Sequence, residues 1–100
     1  MTIQLLYFDG CPNVESAFDL IRRVANVQHA SIRIEKIQVA SQHEAVQRRF
    51  LGSPTVRIDG VDIEPAARNR TDYALACRLY GNARLPTADM IVSAIREATE

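Results

Sequence analysis

The sequence is short of cysteine, with Cys11 and Cys77 the only two in 100 residues. Two cysteines are too few for a disulfide-stapled scaffold, so they are read as thiols with chemistry or as small buried apolar residues. Net charge is also missing, because twelve basic and twelve acidic side chains cancel. Nucleic-acid binding ordinarily leaves a basic footprint, so no nucleic-acid partner is expected. Long apolar runs are absent too. Met1–Phe8 is apolar, but no positive charge precedes it, it is too short for a signal segment or a membrane span, and Asp9 stops it. The expected location is therefore the cytoplasm, with no membrane partner. Lysine is nearly absent, one against eleven arginines. The arginines are scattered, with pairs only at Arg22–Arg23 and Arg48–Arg49, and are read as solvated faces. There are no repeats, no Ser/His/Asp arrangement and no paired carboxylates suited to hydrolysis. His29 and His43 lack ligand-like spacing to a cysteine, so no metal site built on histidine is expected.

What is present is a patterned chain of one domain, residues 1–100, with 47% hydrophobic and 24% charged residues. Ile3–Phe8 reads as a buried strand ended by Asp9-Gly10. Val14, Ala17, Phe18, Ile21, Val24 and Ala25 recur at helical spacing, which predicts a helix to about Val27, with Pro12 in its first turn. Ile32 and Ile34 alternate with Arg33 and Glu35 as a second strand. The parity changes at Ile37 and Val39, which predicts a bulge or strand exit near Lys36. Ser41-Gln42-His43-Glu44 has capping-box spacing before a short helix over 42–50, with Val46 and Phe50 on one face. Asp59-Gly60 between Val56-Arg57-Ile58 and Val61-Asp62-Ile63 predicts a hairpin with a type I′ turn, in which Ile58 pairs with Val61 and Arg57 lies opposite Asp62. Residues 64–85 are harder to assign, and Tyr73–Tyr80 reads as a strand or a short helix. Thr87 caps a last helix whose stripe is Met90, Ile91, Ala94, Ile95 and Ala98. The order βαβαββα makes an α/β fold with a mixed sheet of about four strands.

Two short stretches carry chemistry. Cys11 lies between a strand and a helix start. Unpaired amides and the helix dipole stabilise a thiolate there and make it more nucleophilic. Gly52-Ser53-Pro54-Thr55 opens the hairpin, with a proline at a strand start after a small residue. These stretches, Phe8-Asp9-Gly10-Cys11-Pro12-Asn13 and Gly52-Ser53-Pro54-Thr55-Val56, resemble the active-site turn and cis-proline loop of the thioredoxin/glutaredoxin superfamily. More narrowly, the chain resembles small bacterial thioredoxin-like proteins with a Gly-Cys-Pro-Asn turn and a Ser-Pro-Thr loop. The resemblance implies a thioredoxin-like sheet with helices on both faces. It implies that Cys11 is the attacking cysteine and that Pro54 is cis and packs beside its sulfur. It further implies that the Ser53 backbone pairs with a substrate as an added strand, and that Gly10, Pro12 and Thr55 complete the substrate position.

The chain departs from the superfamily's dithiol pattern at one place: Val14 stands where Cys-x-x-Cys has its resolving cysteine. A mixed disulfide on Cys11 has no thiol within the turn to release it. Three readings stay open. The first is monothiol exchange of a protein or small-molecule thiol or disulfide, with an external thiol such as glutathione and no resident cofactor, or with Cys77 as resolving thiol. The second is a binding module that has given up redox turnover. The third is a thiolate ligand for a soft metal. Cys77 reads more readily as a buried core cysteine. The stretch after the hairpin lacks the Gly-Gly turn with which glutaredoxins hold glutathione, and Arg68 and Arg70 read as carboxylate binders or as exposed charge. The sequence does not specify an oligomeric state.

Overall fold

The structure, a computed structural model, describes residues 1–28 and 31–100, so His29 lies outside the described residues. Strand β1 (Thr2–Tyr7) leads into helix α1 (Val14–Gln28), followed by β2 (Arg33–Gln38) and α2 (Gln42–Gln47). The hairpin β3 (Thr55–Ile58) and β4 (Val61–Asp62) comes next, then a 3-10 turn at Pro65–Ala67 and the last helix, α3 (Ala88–Thr99). The four strands form one mixed sheet in the order β2-β1-β3-β4, with β1 parallel to β2 and antiparallel to β3. Among the described residues no helix is long and apolar enough to cross a membrane.

Alternation along β1 sends neighbouring leucines to opposite faces. Leu5 joins a cluster with Ile3, Val56 and Ile58 from the sheet, Ala17 and Ile21 from α1, and Ile91 from α3. Leu6 joins a smaller cluster with Val39, Ala45 and Phe50 beside α2. Helices therefore cover both faces. Each fully buried large apolar side chain contributes roughly 1.5–3 kcal/mol by removal from water.

This two-faced burial corrects the bulge expected near Lys36. Strand β2 runs unbroken, with Gln4 opposite Glu35, Leu5 opposite Lys36 and Leu6 opposite Ile37. Ile32 and Ile34 pack against the larger cluster and Ile37 against the smaller one. The parity change marks two cores, not a break in the strand.

Helix α2 is shorter than its apolar pattern suggested. The capping box forms as expected at Ser41, whose Oγ accepts from the Glu44 amide at 3.1 Å, while Glu44 reaches back to the Ala40 amide instead of that of Ser41. The helix ends at Gln47, because Arg49 adopts φ 54 and the amides of Arg49 and Phe50 donate back to the carbonyls of Val46 and Ala45. That Schellman-type stop buries Phe50 and leaves Val46 half exposed, on different faces.

The hairpin follows its turn chemistry. Asp59 and Gly60 both have positive φ, 49 and 86, and the register pairs Ile58 with Val61 and Arg57 with Asp62. The expected charge pair across the strands is absent, however. Arg57 donates to the carbonyls of Arg48 and Arg49, and Asp62 pairs with Arg78.

Residues 68–87 form neither of the expected elements around Tyr73–Tyr80; the stretch is irregular and carries isolated bridges, Ser53 to Cys77 and Tyr80 to Ala83. Thr87 caps α3 through the Met90 amide at 3.1 Å. Arg68 ties α3 to the hairpin: its fork meets both Glu97 oxygens, at 2.6 and 3.0 Å, and its Nε donates to the Asp62 carbonyl.

The Arg68 hydrogen bonds hold the Glu97 carboxyl below its ordinary range, against a smaller opposing influence of desolvation. A carboxyl whose folded value is depressed contributes stability above its unfolded value, about 4.3, and loses it as pH falls through the folded value. The wild-type melting temperature should therefore fall more steeply below about pH 4.3 than that of Glu97→Gln. Thermal melts across that range check this, and parallel curves would remove Glu97 from the acid transition. Glu97 is exposed, so the effect is small.

Candidate functional site

The site lies at the end of the sheet where β1 leaves and β3 enters. Leu6 is opposite Thr55, so the residues after β1 and those before β3 emerge side by side. The chain turns sharply after β1: the Cys11 amide donates to the Phe8 carbonyl at 3.3 Å, and Gly10 takes φ 87. Helix α1 starts later than Pro12, with the Asn13 carbonyl accepting from the Ala17 amide. Pro12 is thus an exposed residue of the turn and not of the helix, and Cys11 sits before the helix start. Cys11 is 8% exposed and belongs to the larger apolar cluster, together with Val14, Val56 and Tyr80. Val14, the first residue of α1, is itself buried.

The Ser53–Pro54 peptide bond is cis. Ser53, Pro54 and Thr55 are all fully buried. The chain's own segment 76–78 pairs with this loop. The Ser53 amide donates to the Ala76 carbonyl at 2.8 Å, and the Ser53 carbonyl accepts from the Arg78 amide at 2.9 Å. Both backbone groups expected to receive an added substrate strand are therefore already paired, within the same chain. The Thr55 hydroxyl is engaged as well, donating to the Gly52 carbonyl and accepting from Arg78 at 3.2 Å. It fastens the loop and presents no surface to a substrate. The Ser53 hydroxyl is buried with no hydrogen-bond partner among the described residues.

Cys77 stands in register with Ser53 through this pairing, so the stretch after the hairpin does return past the Ser53–Pro54 loop. It is not the buried core cysteine expected. Cys77 is exposed and Cys11 is buried, and both are free thiols. The side chains alternate along this segment, Cys77 and Leu79 outward, Arg78 and Tyr80 inward, as in a strand.

Arg78 overturns its assignment to a solvated face. It is 2% exposed and forks onto Asp62 with bonds of 2.7 and 2.9 Å, adding Glu64 at 3.1 Å. Burial opposes its charge most strongly, but the hydrogen bonds to Asp62 and Glu64 and the charges around it prevail and raise its affinity for its proton. Its guanidinium lies 4.3 Å from the centre of the Tyr80 ring. The Tyr80 hydroxyl in turn donates to the Pro54 carbonyl at 2.7 Å. Burial raises the tyrosine's proton affinity above its ordinary range, which keeps the hydroxyl a donor. Arg78, Tyr80 and Asp62 thus hold the segment onto the loop, and none of them was singled out from the sequence as a site residue. In the sequence, Asp62 and Glu64 at alternate positions read equally as a solvated strand face, so they do not by themselves call for Arg78.

Among the described residues, no three His, Cys, Asp or Glu side chains cluster as a metal ion would require. Arg68 and Arg70 do bind carboxylates, those of Glu97 and Asp72 in the same chain. Comparison of the chain with family models, with curated proteins and with solved structures finds no match.

Proposed function

We propose that the protein is a thioredoxin-like thiol-exchange protein of monothiol type, with Cys11 as its nucleophile. The observation that carries this reading is the convergence, at one end of the sheet, of the Cys11 turn, the Ser53–Pro54 loop and the Cys77 segment. The mixed sheet, with the cysteine turn after β1 and the proline before β3, is compatible with that fold. In the proposed reaction the Cys11 thiolate attacks one sulfur of a disulfide. The S–S bond breaks, the second sulfur leaves as a thiolate and takes up a proton, and Cys11 is left in a mixed disulfide. With Val14 in the turn, a second thiol must come from elsewhere. An external thiol such as glutathione then attacks the substrate sulfur of the mixed disulfide. This frees Cys11 as a thiolate and leaves a new disulfide between the external thiol and that sulfur, so overall one disulfide and one thiol are exchanged for another of each.

One observation favours a second reading, a binding module without turnover: both backbone groups of Ser53 are already paired with residues 76 and 78. A single experiment separates the two. The Cys77→Ser variant, with Cys11 its only thiol, is incubated with glutathione disulfide and followed by intact mass. The expected result is one glutathionyl group on Cys11, removed again by reduced glutathione. If folded Cys77→Ser stays unmodified while exposed Cys77 in Cys11→Ser is readily modified, Cys11 is a packing residue and the binding module takes its place.

A further inference from the structure

Strand alternation turns Val56 and Ile58 into the core and Arg57 to the other face of the hairpin. On that face lies a cleft of about 270 Å³, lined by Arg49, Arg57, Asp62, Arg68, Arg70 and Tyr73 among others. These side chains come from three stretches of chain: the end of α2, the hairpin, and the segment around and after the 3-10 turn.

The charges in the cleft are not all balanced. Asp62 and Glu64 share Arg78, Arg68 forks onto Glu97 and Arg70 onto Asp72. Arg49 and Arg57 form no ion pair among the described residues. Arg57 gives one N–H to the Arg48 carbonyl and one to the Arg49 carbonyl. A guanidinium has five N–H donors, so about three remain for another acceptor. Partial burial lowers the proton affinity of Arg57 most, and the neighbouring cations Arg78 and Arg49 act in the same direction, with Asp62 opposing them.

Arg49 adds a second, independent observation. It occupies the left-handed position of the helix stop, φ 54, where glycine is the ordinary residue. A non-glycine residue there is strained by about 1–2 kcal/mol. Among the described residues its exposed side chain has no hydrogen-bond or ion-pair partner, yet it lines the cleft.

We propose that this cleft binds a small phosphate dianion, held between the guanidinium groups of Arg49 and Arg57. Two unpaired cations match two negative charges on one group, and arginine forks fit phosphate oxygens. The cleft, about 270 Å³, has room for inorganic phosphate or the phosphate end of a small monoester.

The test is isothermal titration of the full chain with inorganic phosphate and, separately, with methyl phosphate. Ionic strength is held constant and the pH is mildly alkaline, so that both are dianions. Saturable binding in the millimolar range is expected, weakened about tenfold in Arg49→Gln. Stronger binding of methyl phosphate would assign monoesters as the ligand, and stronger binding of phosphate the free ion. Arg49 is exposed, so the variant should fold; Arg49→Gly, which relaxes the helix stop, must lose binding equally. The proposal is overturned if the wild-type protein shows no saturable phosphate binding, if Arg49→Gln binds as the wild type does, or if succinate binds as tightly as phosphate.

Discussion

Arg78→Met should destabilise the protein by about 3–5 kcal/mol, the usual consequence of removing one partner from a buried ion pair. The physical reason is the carboxylate left behind. Asp62 is 7% exposed, and both its oxygens accept from Arg78, while the Glu64 amide donates to only one of them. Without the guanidinium this negative charge stays desolvated with one backbone donor. Arg78→Lys should rescue little, because a single ammonium cannot reach both Asp62 oxygens, Thr55 and Glu64 as the planar fork does. Asp62→Asn with Arg78→Met should lose clearly less than the sum of the two single changes, since the double variant buries no unpaired charge. Urea denaturation of the four proteins decides the matter. Additive losses would mean that the pair is not coupled and that the Arg78 stem, not its charge, holds the segment.

The contrast between Arg78 and the hairpin explains how much was legible beforehand. The register of β3 and β4 follows from residues within one turn of each other: Asp59-Gly60 selects the turn and alternation selects the face. The caps of α2 and α3 are equally local, each a hydroxyl and an amide three residues apart. The turn at Cys11 and the loop at Pro54 were also legible, because each is a short motif at a strand end. Residues 68–87 were not. Their conformation is set by pairing with Ser53 and by a guanidinium meeting a carboxylate sixteen residues earlier in the chain. Nothing within the segment specifies those contacts, so an arginine between Cys77 and Leu79 reads as exposed until the hairpin is folded beneath it. The parity change in β2 was visible but ambiguous: one pattern describes a bulge in a one-sided strand and an unbroken strand between two cores.

Gly52→Ala is the other change with a large expected effect, and it bears on function. Gly52 is buried at φ 112, a conformation that side chains rarely adopt. An added Cβ would lie 2.9 Å from the Ala76 carbonyl oxygen and 3.1 Å from the Arg78 Cβ. Backbone strain and overpacking together should lower stability by about 2–4 kcal/mol. The atoms that must give way belong to the segment paired with Ser53, so relief comes from moving residues 76–78 off the loop. The Ser53 amide, now donating to Ala76, should exchange with solvent faster than the loss of global stability alone accounts for. Under the thiol-exchange reading, the freed Ser53 edge also admits an incoming disulfide. The Gly52→Ala variant, measured where it is still mostly folded, should therefore transfer glutathione to Cys11 faster than the wild type. Loss of amide protection at Ser53 with no gain in the Cys11 rate would show that residues 76–78 do not guard the thiol. Segment 76–78 would then be only a structural brace for the loop.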